Sequence, residues 1–146
     1  MISKTGIYGI RAMLALARLP EGEYAGAPRI AELVDVPPSY LSKLLQILAR
    51  AGLVCSQRGV AGGFRLARDP ASISLYDIVA PLEPIERWSG CFLGNSECSE
   101  TAACAMHDRW KAVQQAYLGM LRRSTLGELA SREPLTGEQL QTVLGG

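Results

Sequence analysis

The 146-residue sequence lacks both an apolar run long enough to span a membrane and a secretory signal pattern. A transmembrane helix needs ~20 consecutive apolar residues, whereas Arg11 and Arg18 interrupt the first apolar segment. We therefore expect a cytoplasmic protein with no membrane partner. The hydrophobic share is 48%, which is enough to build a packed core. The length suits one domain, or a small domain with an appended dimerisation element.

The sequence also lacks the common motifs of enzymes. It contains no phosphate-binding glycine loop, nucleophile elbow or dinucleotide fingerprint. Histidine occurs once, as His107. A nucleophilic cysteine needs a neighbouring base, so a pairing of Cys104 with His107 is the enzymatic arrangement left open. We do not expect an enzyme.

Cysteine is scarce and unevenly placed. Cys55 stands apart in a predicted strand, where we expect it to be a small buried hydrophobe. Cys91, Cys98 and Cys104 lie within fourteen residues of one another. In a reducing compartment, clustered thiols more often bind metal than form disulfides.

Charge is nearly balanced overall, at +1, but not along the chain. Residues 1–68 contain nine basic and four acidic residues, a net charge of +5, and residues 69–146 contain six and ten, a net charge of −4. A basic first half beside an acidic second half favours an anionic partner for the first half.

Three helices are predicted in the first fifty residues. The first covers residues 5–19, with Ile7, Ile10, Leu14 and Ala17 as its buried stripe, and the second covers residues 28–34, with Ile30, Leu33 and Val34 facing inward. The third begins at Pro38 and presents leucines at i, i+3, i+4 and i+7, namely Leu41, Leu44, Leu45 and Leu48. Two short helices joined by a brief turn form a helix-turn-helix, whose second helix can enter the DNA major groove.

A glycine-rich hairpin follows the third helix. Gly52 is expected to end that helix, a strand at residues 53–56 comes next, and residues 64–66 alternate like a returning strand. Together these elements predict a winged helix-turn-helix, an α+β fold that is mainly α with a small β-hairpin wing. The predicted contacts with a double-stranded DNA operator are polar or glycine residues of the third helix and the wing: Ser39, Tyr40, Ser42, Lys43, Gln46, Arg50, Arg58, Gly59 and Arg65.

The second half predicts a loop and a long helix. Ser74 opens a capping box, residues 89–100 have no apolar period, and a helix is expected from residue 101 to about 123. A second capping box begins at Thr125. The long helix carries a heptad-like apolar seam of Met106, Trp110, Val113, Tyr117 and Met120, which predicts a homodimer through this helix.

Four residues in this half could hold a metal. Cys91, Cys98, Cys104 and His107 have the spacing C-x6-C-x5-C-x2-H. If Cys104 and His107 lie three residues apart on one helix, both side chains project from the same face. Thiolates with one imidazole suit zinc or an iron–sulfur cluster, and the wide gaps favour the cluster.

These features together resemble the regulator family that includes IscR, NsrR, RirA and CymR. The resemblance covers roughly residues 2–130 and rests on Tyr8 in an early helix, the Ser39-Tyr40-Leu41 helix start, the glycine-rich wing and the Cys-Cys-Cys-His set before Trp110. It implies a dimeric winged-helix transcription factor with an iron–sulfur cluster on Cys91, Cys98 and Cys104, and with His107 matching the histidine ligand of the IscR type. A 2Fe–2S cluster is favoured, with 4Fe–4S as the alternative.

The departures from this family are informative. The first cysteine gap is six residues, where the IscR type usually has five, and Ile7 stands where the NsrR type has an acidic ligand. A regulator of the same fold that uses zinc, thiol oxidation or no cofactor is the main alternative, ahead of an iron–sulfur electron carrier. The predicted organisation is a DNA-binding domain at residues 1–81, a cysteine-bearing linker at 82–104, a dimerisation helix and a short following helix at 105–132, and a mobile tail at 133–146.

Overall fold

The computed structural model describes residues 2–85 and 89–132. The elements in this part of the chain are α1 (Lys4–Ala17), α2 (Ala27–Val34), α3 (Pro38–Arg50), β1 (Val54–Gln57), β2 (Gly63–Leu66), a 3-10 turn (Pro70–Ser72), α4 (Leu75–Val79), α5 (His107–Arg123) and α6 (Leu126–Ser131). Among the described residues, no helix is long and apolar enough to cross a membrane. The mainly α architecture with one small hairpin agrees with the predicted fold class.

The centre of the core lies between α1 and α3. The leucine face of α3 is buried as predicted, with Leu41, Leu45 and Leu48 at 0% exposure, and on α1 both Ala12 and Met13 are also at 0%. Gly52 follows α3 with a φ of +80°, a left-handed conformation that favours glycine and ends the helix.

The predicted inward residues of α1 and α2 are partly wrong. Ile7 and Ile10 are half-buried, and the buried residues of α1 include Gly6, Gly9, Ala12, Met13 and Leu16. Helix α1 packs on α2, α3, α4, α6 and β2, so its buried surface is much wider than one stripe. On α2, Leu33 is 58% exposed because the core contacts the side formed by Ile30, Ala31 and Val34.

The two strands form an antiparallel hairpin, which we call the wing. Val54 pairs with Leu66 and Gln57 with Gly63. The loop before α2 adds a further bridge, because Phe64 N donates to Ala25 O at 2.7 Å and Ala25 N donates to Phe64 O at 2.9 Å. This bridge attaches the wing to the helix-turn-helix.

Two helix caps predicted from the sequence connect the second half of the chain to the first. Ser74 and Thr125 each form a complete capping box. The two caps also lie side by side, since Leu75 N donates to Ser124 O at 2.9 Å and Leu126 N donates to Ile73 O at 2.8 Å. This double contact holds the end of α5 against the half of the chain that contains the helix-turn-helix.

Helix α5 begins six residues later than predicted, at His107. The preceding segment folds back on itself, because the Ser99 hydroxyl accepts from Ala102 N at 3.2 Å and so competes with helical hydrogen bonds. Leu121 is the one buried residue of α5, whereas Val113 is 53% and Met120 46% exposed. The predicted tail, 133–146, lies outside the described residues.

Burial separates two leucines that the apolar pattern alone treats alike. We expect Leu45→Ala to lower the free energy of unfolding by about 2–5 kcal/mol, because it removes a fully buried side chain. The matched change Leu33→Ala should stay within about 0.5 kcal/mol, as for a surface position. Urea unfolding followed by circular dichroism measures both, and equal losses would contradict this assignment of the core.

Candidate metal centre and nucleic-acid interface

Three cysteine sulfurs meet between the loop at residues 89–106 and the start of α5. The sulfurs of Cys91, Cys98 and Cys104 all lie within 4.8 Å of one another, and those of Cys91 and Cys104 are 3.6 Å apart. Thiols at this separation can act as ligands of one metal centre.

His107 faces the thiols with one ring nitrogen. Its Nδ1 lies 3.4 Å from the Cys98 sulfur. Its Nε2 is buried without a hydrogen-bond partner, and the Glu100 carboxylate is 3.7 Å away from it. Glu100 in turn contacts the Lys111 ammonium group. The single histidine is thus oriented with Nδ1 towards the cysteines.

The route by which Cys104 and His107 come together differs from the prediction. Cys104 precedes α5, whose first residue is His107, so the two do not share a helix face. Instead a turn joins them, in which His107 N donates to Cys104 O at 3.1 Å.

The pKa values of two of these thiols are shifted in opposite directions. A hydrogen bond from the backbone N–H of Asn95 is the largest influence on Cys91, and although burial opposes it, the pKa falls from 9.0 to about 7. The backbone of Cys104 acts to lower the pKa of Cys98, but burial and the neighbouring thiols Cys91 and Cys104 together outweigh it, so that pKa is raised. A lowered thiol pKa favours the thiolate, which is the form that binds metal.

The cysteine-bearing loop is attached to α5 by two side chains. Trp110 Nε1 donates to Gly90 O at 2.9 Å, and Gln114 Nε2 donates to the same oxygen at 3.3 Å. The Trp110 ring also lies against Phe92, with centroids 5.4 Å apart. The four candidate ligands and these residues line a cleft of about 300 Å³.

Trp110 therefore has a role that the apolar seam did not indicate. The seam identified it as a dimer contact, whereas within one chain it binds the loop. Neither Gln114 nor Phe92 was recognised from the sequence. Phe92 is adjacent to Cys91, but Gln114 is 24 residues from its partner Gly90, and no local pattern indicates such a contact.

Cys55 takes no part in this site. It lies in β1 opposite Arg65. It is half-buried, whereas full burial was expected. Among the described residues, the thiols that converge are Cys91, Cys98 and Cys104.

The polar side of α3 is open to solvent. Of the residues predicted to contact DNA, Ser42 is half-buried, whereas the others on this side of α3 and those at the wing turn are exposed: Ser39, Lys43, Gln46, Arg50, Arg58 and Gly59. The leucines on the opposite side of α3 anchor it in the core, so its polar side chains are presented on a rigid element.

Two other predicted DNA contacts already have partners within the chain. The Tyr40 hydroxyl lies 2.6 Å from Thr5 Oγ1, and the Arg65 guanidinium lies over the Tyr24 ring at 4.7 Å. Thr5 and Tyr24 lie outside α3 and the hairpin strands. The spacing of residues within those elements therefore did not indicate these two contacts.

A helix-turn-helix followed by a hairpin wing, in a chain that also contains a thiol-lined cleft, defines a winged-helix protein of the transcription-factor class. The chain belongs to the Rrf2 family, described as "Iron-dependent Transcriptional regulator", whose family model matches residues 2–132. The resemblance found in the sequence is thereby confirmed, and the protein is a transcriptional regulator of this family.

Solved structures of the same family are similar over most of their length. CymR of B. subtilis, called the global cysteine regulator, is 32% identical with a TM-score of 0.75, and the match covers 90% of this chain and 96% of that one. IscR of T. potens is 32% identical with a TM-score of 0.69, covering 88% and 85%. The oxidized form of Staphylococcus aureus CymR is 30% identical with a TM-score of 0.73, covering 92% and 98%.

Proposed function

We propose that this regulator binds operator DNA as a homodimer and that an iron–sulfur cluster on Cys91, Cys98, Cys104 and His107 controls that binding. The observation that carries the proposal is the convergence of three thiols within 4.8 Å, with a histidine nitrogen 3.4 Å from one of them. A family that includes IscR and is described as iron-dependent supports it.

The residues present fit such a group. Cysteine thiolates with histidine are known ligands of 2Fe–2S centres, and the cleft of about 300 Å³ gives them room. The buried Nε2 of His107 has no hydrogen-bond partner, but the Glu100 carboxylate lies 3.7 Å away on that side of the ring. Metal-bound histidines commonly donate their second ring N–H to such a carboxylate. When bound, the cluster supplies a centre that is sensitive to redox state and oxygen. We favour 2Fe–2S over 4Fe–4S because of the histidine.

The attachment of the loop offers a route from this centre to the dimer helix. Trp110 and Gln114 both donate to Gly90, the residue before Cys91. A change in ligation at the thiols therefore acts on α5 directly. The end of α5 is held to the DNA-binding half by the paired caps of Ser74 and Thr125.

Reversible thiol oxidation is the second candidate function. The sulfurs of Cys91 and Cys104 are 3.6 Å apart, so a modest movement would bring them to the ~2.05 Å of a disulfide bond. The relative solved in an oxidized form is consistent with this chemistry. Zinc would use the same ligands.

DNA binding is proposed to use the exposed side of α3 and the wing. Lys43→Ala should weaken operator binding by about 1–3 kcal/mol if the ammonium group contacts a base. If it contacts a phosphate instead, the slope of log affinity against log salt concentration should become shallower by about one. The control Arg18→Ala removes one positive charge at the far end of α1. Fluorescence anisotropy against salt concentration measures both. Equal effects of the two changes would contradict a contact made by α3.

The Cys98→Ala variant, compared with the wild-type protein, distinguishes an iron–sulfur cluster from a disulfide bond. After anaerobic purification, Cys98→Ala should lose the bound iron and the visible absorption, and its operator affinity should change, because Cys98 contributes one of the converging thiols. The control Cys55→Ala should keep both properties, since Cys55 lies outside the site. Wild-type protein that contains no iron and becomes about 2 Da lighter after mild oxidation would instead support the disulfide, because closing it removes the hydrogens of two thiols.

Dimerisation is proposed to bury the exposed apolar residues of α5. Val113→Glu should give monomers, because Val113 is 53% exposed in one chain and a charge there would be buried in the dimer. Gln115→Glu adds the same charge at another exposed position of α5 and should remain dimeric. Sedimentation at micromolar concentration distinguishes them, and a monomeric wild-type protein would contradict the interface.

A further inference from the structure

We propose that Tyr40 acts as a positioning residue: Thr5 and Tyr8 of α1 hold it so that the first turn of α3 meets DNA in one orientation. The proposal rests on the proposed DNA binding and assigns a role to α1 in that function. Its basis is a polar and aromatic contact between the two helices, at the edge of the leucine core.

The first turn of α3 has no side-chain cap to fix it. Its N-cap residue is Pro37, which makes no side-chain hydrogen bond, and the next residue is also a proline. The two prolines are preceded by Val36 and Asp35. Asp35 has a left-handed backbone conformation, with a φ of +56°. The first turn of α3 therefore depends on contacts with other elements, made by the buried Leu41 and by Tyr40.

Tyr40 makes those contacts at two points on α1. Its hydroxyl lies 2.6 Å from Thr5 Oγ1, and its ring meets the Tyr8 ring edge-on, with centroids 6.0 Å apart and an interplanar angle of 84°. Thr5 and Tyr8 are three residues apart and so lie on one face of α1. Two contacts on one face restrict both the position and the rotation of the turn.

The α1 side of this contact is itself well fixed. The Arg11 guanidinium lies 5.9 Å from the centre of the Tyr8 ring, where it is attracted to the ring face, and Arg11 is only 9% exposed. Ala12 and Met13, the next residues, are fully buried. Tyr40 is thus attached to a part of α1 that is packed in the core.

The residues that this turn carries are those proposed to touch DNA. Ser39 and Lys43 are exposed on either side of Tyr40 in sequence, and recognition helices contact base edges mainly with their N-terminal residues. A small rotation of the turn would misalign these side chains with a specific sequence, while backbone attraction to any duplex would persist.

A double-mutant cycle tests this positioning role. The probes are a duplex selected by the wild-type protein from a random-sequence pool and an unrelated duplex of equal length. Thr5→Val and Tyr40→Phe each remove the hydrogen bond and should weaken binding to the selected duplex by about 2- to 12-fold. The double variant should bind the selected duplex as tightly as either single variant, because both substitutions remove the same hydrogen bond. Thr5→Ser keeps the hydroxyl and should restore affinity.

Affinity for the unrelated duplex should change less than twofold in every variant. If Tyr40→Phe weakens specific binding and Thr5→Val does not, the hydroxyl touches DNA directly and the positioning role is overturned. Equal losses on both duplexes, or no loss at all, would also overturn it. A wild-type protein that selects no duplex would overturn the proposed function and this inference with it.

Discussion

The burial of the α3 leucine face against α1 is the constraint on which the other surfaces depend. With 3.6 residues per turn, placing Leu41, Leu45 and Leu48 at 0% exposure leaves Lys43 and Gln46 no direction except towards solvent. The same packing brings α1 beside the start of α3. The hairpin then follows directly after Gly52, and its bridge to Ala25 keeps the wing next to this surface.

The thiol site depends on a second constraint, the closure of a long loop over α5. The loop at residues 89–106 contains turns but no α-helix or strand, and side chains of α5 attach it to the helix. Trp110 and Gln114 supply two donors to one carbonyl oxygen, and Phe92 covers the Trp110 ring. The three sulfurs meet because the loop is attached beside them, which links the chemistry of the cysteines to the orientation of α5.

Helix α5 has two different surfaces. One side serves the cysteine loop, and the other exposes Val113 and Met120, which is unfavourable for a helix alone in water. Its C-terminal end contributes Leu121 to the core. A regulator built this way has one wall of its thiol-lined cleft, its exposed apolar residues and its connection to the DNA-binding half on one helix.

Elements with local signals could be predicted from the sequence alone. The leucine spacing of α3, both capping boxes and the hairpin with its glycines could be read directly, because periodicity and capping involve residues a few positions apart. The C-x6-C-x5-C-x2-H spacing likewise identified the residues that converge. The start of α5 was misjudged because Ser99 competes for the backbone of Ala102. The exposure of Leu33 and the hydrogen bonds of Trp110 with Gly90 and of Tyr40 with Thr5 became known from the folded chain. These contacts join residues far apart in the chain, and their existence depends on how whole helices pack.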